Sequence, residues 1–492
     1  MGVVRADHRV LVAGALKLRS RPVVTSSVTS EVAVLDRGPR RPKDRSARRL
    51  LLVTLGAAVA VIAVHMVLGA GFVLDDWYVV RNAHFDGVAR AVEPSLGRAR
   101  PGSVLAYGVS FGIWPTHPLV VLAVQGLLFV AAAGLAFQVL RRVIEPRVAC
   151  AVVVTWIVLP NHLSIERWGS VIVADVSLVL LCLGLLLLLR SPLSNLAIVG
   201  ACLSIGLACL SYEATIVVGA ASFVVLPWFV ARRPVVRAVV AGALTLGAVL
   251  GWQLLNWTAV KKVGGNYSEY SRVFEAHFGW GIVENRPVAV LVLATVVIIS
   301  LLVLVDLAVR DRRHGAGTPH GLVVGGWFVL LAGSAPFAAY IYEPIGAGDR
   351  VNYLSSWGAA AVLVGCFLFL WRNLKVVAGA LAAVLLVVAV GTRIERSVTW
   401  AAAGTDGRTV LTEVREHIDP GCSVVVLGPA RVVRGNVAAF MDKSNVEAAV
   451  EVALDERGVA AAFARTPEEF YATDPGCRID ITKGSALADR PS

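Results

Sequence analysis

Residues 118–140 read PLVVLAVQGLLFVAAAGLAFQVL, an apolar run without a charged side chain. A bilayer core about 30 Å thick is crossed by a helix of roughly 20 residues. Comparable runs lie at 50–73, 148–164, 169–189, 195–211, 213–231, 236–257, 287–309, 321–341, 351–371 and 374–391. We therefore predict an all-α polytopic membrane protein with about eleven transmembrane helices.

Composition supports a membrane protein. The 492 residues are 57% hydrophobic and 16% charged, against roughly 25% charged residues in soluble domains. The 46 Lys and Arg residues exceed the 34 Asp and Glu residues, and in a membrane protein such an excess reflects cytoplasmic loops. No basic patch alternates with stacking aromatic residues, so we expect no nucleic-acid partner.

Lysine and arginine residues are concentrated in alternate loops, and this bias predicts the orientation of the chain. Residues 1–49 are predicted to form a disordered, basic cytoplasmic tail. The opposite side receives two long outward loops, 72–117 and 258–286, and the whole chain after residue 391. The N-terminus is thus expected in the cytoplasm and the C-terminus outside a cell membrane.

Residues 392–492 alternate helical patterns, at 410–418 and 446–454, with strand-like runs such as 423–427. This alternation predicts a small extracytoplasmic α/β domain. Asp-Pro-Gly-Cys occurs twice, ending at Cys422 and at Cys477. In an exported domain these two cysteines would form a disulfide; the alternative is two unpaired buried thiols.

The first outward loop opens with Leu74-Asp75-Asp76-Trp77-Tyr78, directly after the first predicted span. Adjacent carboxylates at a membrane surface are costly unless they are solvated or paired, which favours a functional interpretation. Each charge also raises the pKa of the other carboxyl group, which suits a general base. The alternative is a hydrated loop start whose two aromatic residues belong to the interfacial belt.

Cationic side chains on the same side of the membrane are candidate phosphate ligands, because a guanidinium binds phosphate through two parallel hydrogen bonds. Arg100 lies later in the first outward loop, and Arg350 lies in Asp349-Arg350-Val351-Asn352-Tyr353. Arg350 is alternatively a snorkelling side chain. Lys261 and Lys262 in the second long loop make a weaker case.

Two acids occupy short outward turns. Glu213, in Leu210-Ser211-Tyr212-Glu213-Ala214, needs a cavity or a partner unless the turn is open to solvent. Glu166 and Arg167 form a comparable outward turn, and the simplest interpretation is that the two side chains pair with each other. Within the spans we expect few ionisable residues, His65 and Asp306 being the exceptions.

The sequence lacks the motifs of several common enzyme classes. The sequence contains no phosphate-binding Gly-x-x-x-x-Gly-Lys loop, no nucleophile elbow, no His-Glu-x-x-His and no Cys-x-x-Cys cluster. ATP hydrolysis and protein-ligated zinc are therefore not expected. No pair of Gly/Pro-broken halves recurs as an inverted repeat, which argues against a secondary transporter.

The chain resembles the GT-C superfamily in several features. The first outward loop opens with Asp75-Asp76 directly after the first span, and an exported domain is predicted at the C-terminus. The other matching motifs are Ser211-Tyr212-Glu213 and Asp349 to Tyr353. Members of this superfamily are integral membrane glycosyltransferases that use polyprenyl-phosphate sugars. The likeness in topology covers most of residues 50–492, with 50–391 as the transmembrane domain.

The resemblance implies an inverting transfer of a sugar from a polyprenyl-phosphate donor to a glycan, lipid or protein acceptor of the cell envelope, as in cell-wall biogenesis. Asp75 or Asp76 would be the base, and Glu213 would orient the acceptor or water. Some members bind Mg²⁺ or Mn²⁺ at the paired acids, here Asp75 and Asp76. The phosphate would be held by Arg350 first, then by Arg100, Lys261, Lys262 and Tyr353. The alternative function is a non-catalytic transporter or flippase of a cell-envelope lipid or polysaccharide precursor.

Overall fold

The computed structural model describes residues 44–87, 90–91, 100–112, 114–231, 236–256, 277–278, 286–310, 318–337, 346–418, 423–427, 437–440, 442–464, 468–469 and 477–480. Its helices are α1 (Asp44–Leu68), α2 (Asp76–Asp86), α3 (Pro101–Phe111), α4 (Pro118–Leu140), α5 (Pro146–Val158), α6 (Ser164–Arg167), α7 (Ile172–Leu188), α8 (Asn195–Ser211), α9 (Thr215–Ala231), α10 (Val236–Asn256), α11 (Arg286–Arg310), α12 (Pro319–Ser334), α13 (Ser355–Asn373), α14 (Lys375–His417) and α15 (Lys443–Leu454). Short 3-10 turns cover Gly169–Val171, Ala335–Phe337 and Gly346–Asn352, and the strands are β1 (Val424–Leu427), β2 (Ala461–Ala464) and β3 (Cys477–Asp480).

Within the described part of the chain, seven helices are long and apolar enough to cross a membrane, namely α1, α4, α7, α10, α12, α13 and α14. Shorter apolar helices occupy Pro146–Val158, Asn195–Ser211, Thr215–Pro227 and Val292–Leu307, in the four remaining predicted runs. The chain is therefore a multi-pass membrane protein. The count of eleven crossings stays a prediction.

Two predicted spans end earlier than expected, for local reasons. Helix α1 ends at Leu68, before Gly69 at φ +97°, a left-handed position that favours glycine at a helix end. Helix α5 ends at Val158 because Leu159 is extended ahead of Pro160, as a residue before proline prefers to be. The residues after each helix end, 69–75 and 159–163, form turns next to the candidate site.

Small residues allow close helix packing. A Cβ atom added to Gly326 of α12 would lie 2.8 Å from the backbone nitrogen of Val362 in α13. Such contacts between backbones are common where transmembrane helices associate, since apolar surface alone does not drive association in lipid.

Helix α14 is continuous over 43 residues and so extends past residue 391, where the last predicted span ends. The pattern at 410–418, predicted as a separate helix, is the end of α14. A Cβ atom added to Gly407 would lie 2.8 Å from the carbonyl oxygen of Phe72. The far half of α14 thus packs directly against the start of the first outward loop.

The three strands form a parallel sheet in the order β2-β1-β3, with Val424 opposite both Ala461 and Cys477. The strand predicted at 423–427 is β1, and the helix predicted at 446–454 lies within α15. A separate C-terminal α/β domain stays a prediction. Cys477 is disulfide-bonded; Cys422 lies outside the described residues, so its pairing with Cys477 also stays a prediction.

Candidate functional site

The Asp75-Asp76 pair lies where the first outward loop turns into α2. Asp75 is the residue before the helix and is exposed, whereas Asp76 is the first helical residue and is 1% exposed. The preceding residue, Leu74, has φ +53°. The two adjacent acids therefore face different surroundings, which the motif alone did not reveal.

Asp76 joins this loop to the turn that precedes α7. Its Oδ1 accepts from the backbone N–H of Ser170 at 2.6 Å, and its Oδ2 accepts from those of Val73 at 3.2 Å and Gly169 at 3.3 Å. Burial raises the pKa of Asp76 to about 7, although these hydrogen bonds act in the opposite direction. Asp76 thus holds the loop in place.

The carboxylate of Asp75 makes no hydrogen bond to any described residue. Partial desolvation raises the pKa of Asp75, the charge of Arg350 lowers it, and the charge of Asp442 raises it again. A solvent-accessible acid with a raised pKa and no hydrogen-bond partner is suited to accept a proton.

Arg350 is near enough to Asp75 for its charge to lower the pKa of Asp75. Its guanidinium carbon is 4.7 Å from the ring centroid of Trp168, a distance at which the π face attracts a cation. Among the described residues this guanidinium has no ion pair and no side-chain hydrogen bond. The backbone is fixed separately, because the Tyr212 hydroxyl donates to the Arg350 carbonyl at 3.1 Å. The arrangement leaves the hydrogen-bond donors of Arg350 available to an anion.

Arg100 and Glu213 form an ion pair with each other, and Nε of Arg100 donates to Glu213 Oε1 at 3.1 Å. Arg100 also lies over the ring of Tyr212, at 5.8 Å from its centroid. The structure therefore provides the partner that the sequence required for Glu213. It also means that Arg100, unlike Arg350, is already neutralised.

Two other predicted residues point inward. Asp349 is buried and accepts from the backbone N–H groups of Leu163 at 3.1 Å and Ser164 at 3.0 Å. Burial raises the pKa of Asp349 to about 6. Tyr353 is 2% exposed and donates its hydroxyl to Asp175 at 2.5 Å, so this hydroxyl is not available to a phosphate.

The sequence suggested that Glu166 pairs with Arg167, but the structure shows a different partner. Its carboxylate instead forms an ion pair with Arg393 of α14, while Arg167 donates to the carbonyl of His65 at 2.7 Å. Nδ1 of His65 and Nε2 of His162 each lie 3.5 Å from a Glu166 oxygen. This buried polar cluster ties the turn before α7 to α1 and α14.

Sequence reasoning missed three residues. Asp175 is a further ionisable residue inside a predicted span. A single acidic residue in the apolar run 169–189 was the sequence signal that could have identified it. Arg393 was assigned to the tail because it lies two positions beyond the last predicted span. Trp168 carried no signal, since its role depends on Arg350, which is distant in sequence.

A shared metal site does not fit the two acids. Both oxygens of Asp76 accept backbone N–H groups and the residue is buried, so it cannot join Asp75 in holding Mg²⁺ or Mn²⁺ without losing these bonds. Over the described part of the chain, no group of three or more His, Cys, Asp or Glu is placed to hold a metal ion. Lys261 and Lys262 lie outside the described residues.

The chain is similar in structure to the oligosaccharyltransferase of Archaeoglobus fulgidus. Against its apo crystal structure the sequence identity is 14% and the TM-score 0.42, with 88% of this chain and 67% of that chain covered. Against the structure tethered by a disulfide to an acceptor peptide with the NVT sequon, the identity is 14%, the TM-score 0.40 and the coverage 86% and 65%. This chain thus spans about two thirds of the length of those chains. The sequence matches no protein-family model and no curated protein sequence.

Proposed function

We propose that this chain is an inverting glycosyltransferase that moves a sugar from a polyprenyl-phosphate donor to a cell-envelope acceptor at the outer face of the cell membrane. The observation that carries the proposal is an exposed acid, Asp75, within reach of the charge of a cation, Arg350, that makes no ion pair among the described residues. One can accept a proton and the other can bind a phosphate.

In this mechanism the oxygen of the acceptor hydroxyl attacks the anomeric carbon, and Asp75 takes the proton from that hydroxyl. The bond between that carbon and the phosphate oxygen breaks, and the electron pair leaves with the lipid phosphate. A phosphate leaving group needs its charge neutralised more than it needs a proton, and Arg350 supplies that charge. Attack from the side opposite the leaving group inverts the anomeric centre.

The neighbouring residues have supporting roles. Asp76 fixes the position of Asp75 through the backbone of residues 73, 169 and 170. The neutral Arg100–Glu213 pair lines the same region through Tyr212, which contacts both Arg100 and the Arg350 backbone. Arg350 is therefore the first choice as phosphate ligand, with Arg100 second. No step of this mechanism uses a metal.

The decisive experiment is a donor-cleavage assay. Purified protein in liposomes is incubated with labelled polyprenyl-phosphate sugars, with and without a cell-envelope fraction as acceptor, and release of lipid phosphate is measured. We expect release by the wild type, loss in Asp75→Asn, and a large loss in Arg350→Gln. Arg372→Gln is the matched control, because Arg372 is an exposed arginine at the end of α13.

Full activity of Asp75→Asn would contradict the proposed base. If the wild type cleaves no donor under any condition but moves labelled lipid across the liposome membrane, the transporter interpretation would replace the enzymatic one. Glycan, lipid and protein acceptors are separated by identifying which fraction carries the labelled sugar.

A further inference from the structure

The backbone just before Asp75 is held in a costly conformation. Leu74 has φ +53°, a conformation that is sterically unfavourable for a residue other than glycine. Its side chain is fully buried, and its backbone N–H donates to the carbonyl of Ala439 at 3.0 Å. Strain of this kind persists only where the surroundings impose it, and here a contact from 365 positions away imposes it.

The same carbonyl receives a second donor from the other side of the acid pair. The indole N–H of Trp77 donates to the Ala439 oxygen at 3.0 Å, and the Trp77 ring stacks on Phe440 with centroids 5.5 Å apart. Trp77 is fully buried. One carbonyl oxygen therefore fixes the residue before Asp75 and the residue after Asp76.

Helix α15 and the residues just after it contact α2, the helix that follows the acids. Arg81 forms an ion pair with Glu451, His84 lies 2.7 Å from Asp455, and Arg457 lies 2.5 Å from Asp86. These three contacts lie along the second half of α2. Asp442, the residue that caps α15, is close enough to Asp75 for its charge to raise the pKa of Asp75.

We propose that residues 437–440 and 442–457 of the C-terminal stretch are a positioning element of the catalytic centre, with Trp77 as the positioning residue that orients Asp75 through the Ala439 carbonyl. This inference rests on the proposed function, in which Asp75 is the base. It assigns to part of the C-terminal region a role in the chemical step that is distinct from binding an acceptor.

The test compares two substitutions, one at each of the two donors to the Ala439 carbonyl. Trp77→Phe retains a stacking ring and removes the N–H donor. Leu74→Gly keeps access to φ +53° and removes the constraint on that conformation, together with a buried side chain. Both are expected to lower kcat by about tenfold to a hundredfold, the range that misplacement of a reacting group by about 1 Å can cause. The KM for the donor should stay within about twofold, since substrate contacts are unchanged.

Trp114→Phe is the matched control, because Trp114 lies in the same outward loop and is 53% exposed; its kcat should equal that of the wild type. Hydrogen exchange of peptides covering residues 72–80 gives the second measurement, and Trp77→Phe should expose the Leu74 amide to faster exchange. Wild-type kcat in both Trp77→Phe and Leu74→Gly would overturn this inference alone. Absence of transfer by the wild type would overturn the proposed function. Because Leu74→Gly leaves Trp77 in place, it still gives the kinetic result if Trp77→Phe yields too little inserted protein.

Discussion

Asp76 accepts a hydrogen bond from the backbone N–H of Ser170 at 2.6 Å, across 94 positions of sequence. The carboxylate of Asp75, its neighbour, accepts no hydrogen bond from any described residue. Two adjacent acids that look equivalent in the sequence therefore differ in accessibility, in partners and in the consequence of removing them.

Asp76→Asn should destabilise the folded protein. The amide offers one acceptor oxygen in place of two, and its NH₂ group would face a backbone N–H that has lost its partner. An unsatisfied buried group of this kind costs roughly 1–3 kcal/mol. Thermal unfolding in detergent should show a lower Tm for Asp76→Asn and an unchanged Tm for Asp75→Asn. Equal Tm values for the two variants would show that Asp76 is not an anchor.

The sequence located this motif but did not distinguish the two acids. A run such as 118–140 specifies a helix by itself, because length and apolarity are local properties. The burial of Asp76 depends on the backbone of Gly169 and Ser170, which no local pattern places beside it. The sequence therefore predicts a pair of candidate bases and does not choose between them.

Stability should fall as the pH rises from about 4 to about 7. Burial raises the pKa of Asp76 to about 7 and that of Asp349 to about 6, from a usual 3.8. In this range the folded protein keeps protons that the unfolded chain has lost, so each rise in pH favours the unfolded chain. The effect is complete above the folded pKa values.

Thermal unfolding at pH 5 and pH 8 measures this dependence, and the Tm should be higher at pH 5. Asp349→Asn should reduce the difference, because it removes one of the groups that titrate. A Tm that increases with pH over this interval would mean that the backbone N–H groups, and not burial, determine the pKa of these acids.

Arg100 and Glu213 should be energetically coupled. Their side chains are 26% and 15% exposed, so the pair is partly desolvated and removal of either charge leaves the other uncompensated. Unfolding of Arg100→Gln, Glu213→Gln and the double variant should give a coupling energy of about 0.5–3 kcal/mol. The exposed Lys443–Glu447 pair, at 3.2 Å, is the control and should give less than about 1 kcal/mol. Equal coupling in the two pairs would mean that Glu213 needs no partner.

Long-range pairing also explains the other residues that the sequence did not predict. Arg393 and Glu166 are separated by 227 positions, whereas Arg167 is adjacent to Glu166 and was the natural partner by proximity. The continuity of α14 past residue 391 brings Arg393 to Glu166, and no apolar pattern marks that continuity. The length of α14 thus determines that Glu166 forms its ion pair with Arg393.

Arg393→Met should be among the most destabilising single substitutions in the described part of the chain. It leaves the carboxylate of Glu166 buried without its cation, and breaking a buried ion pair in this way costs roughly 3–5 kcal/mol. The double variant Glu166→Gln with Arg393→Met removes both charges and should recover most of that loss. Arg396→Met is the matched control, because Arg396 lies one turn further along α14, is only partly buried and donates to the Pro160 carbonyl at 2.8 Å. Thermal unfolding of the four proteins compares these costs. If Arg393→Met and Arg396→Met lowered the Tm equally, and the double variant recovered nothing, the loss would come from packing along α14 and the charge of Glu166 would not depend on Arg393.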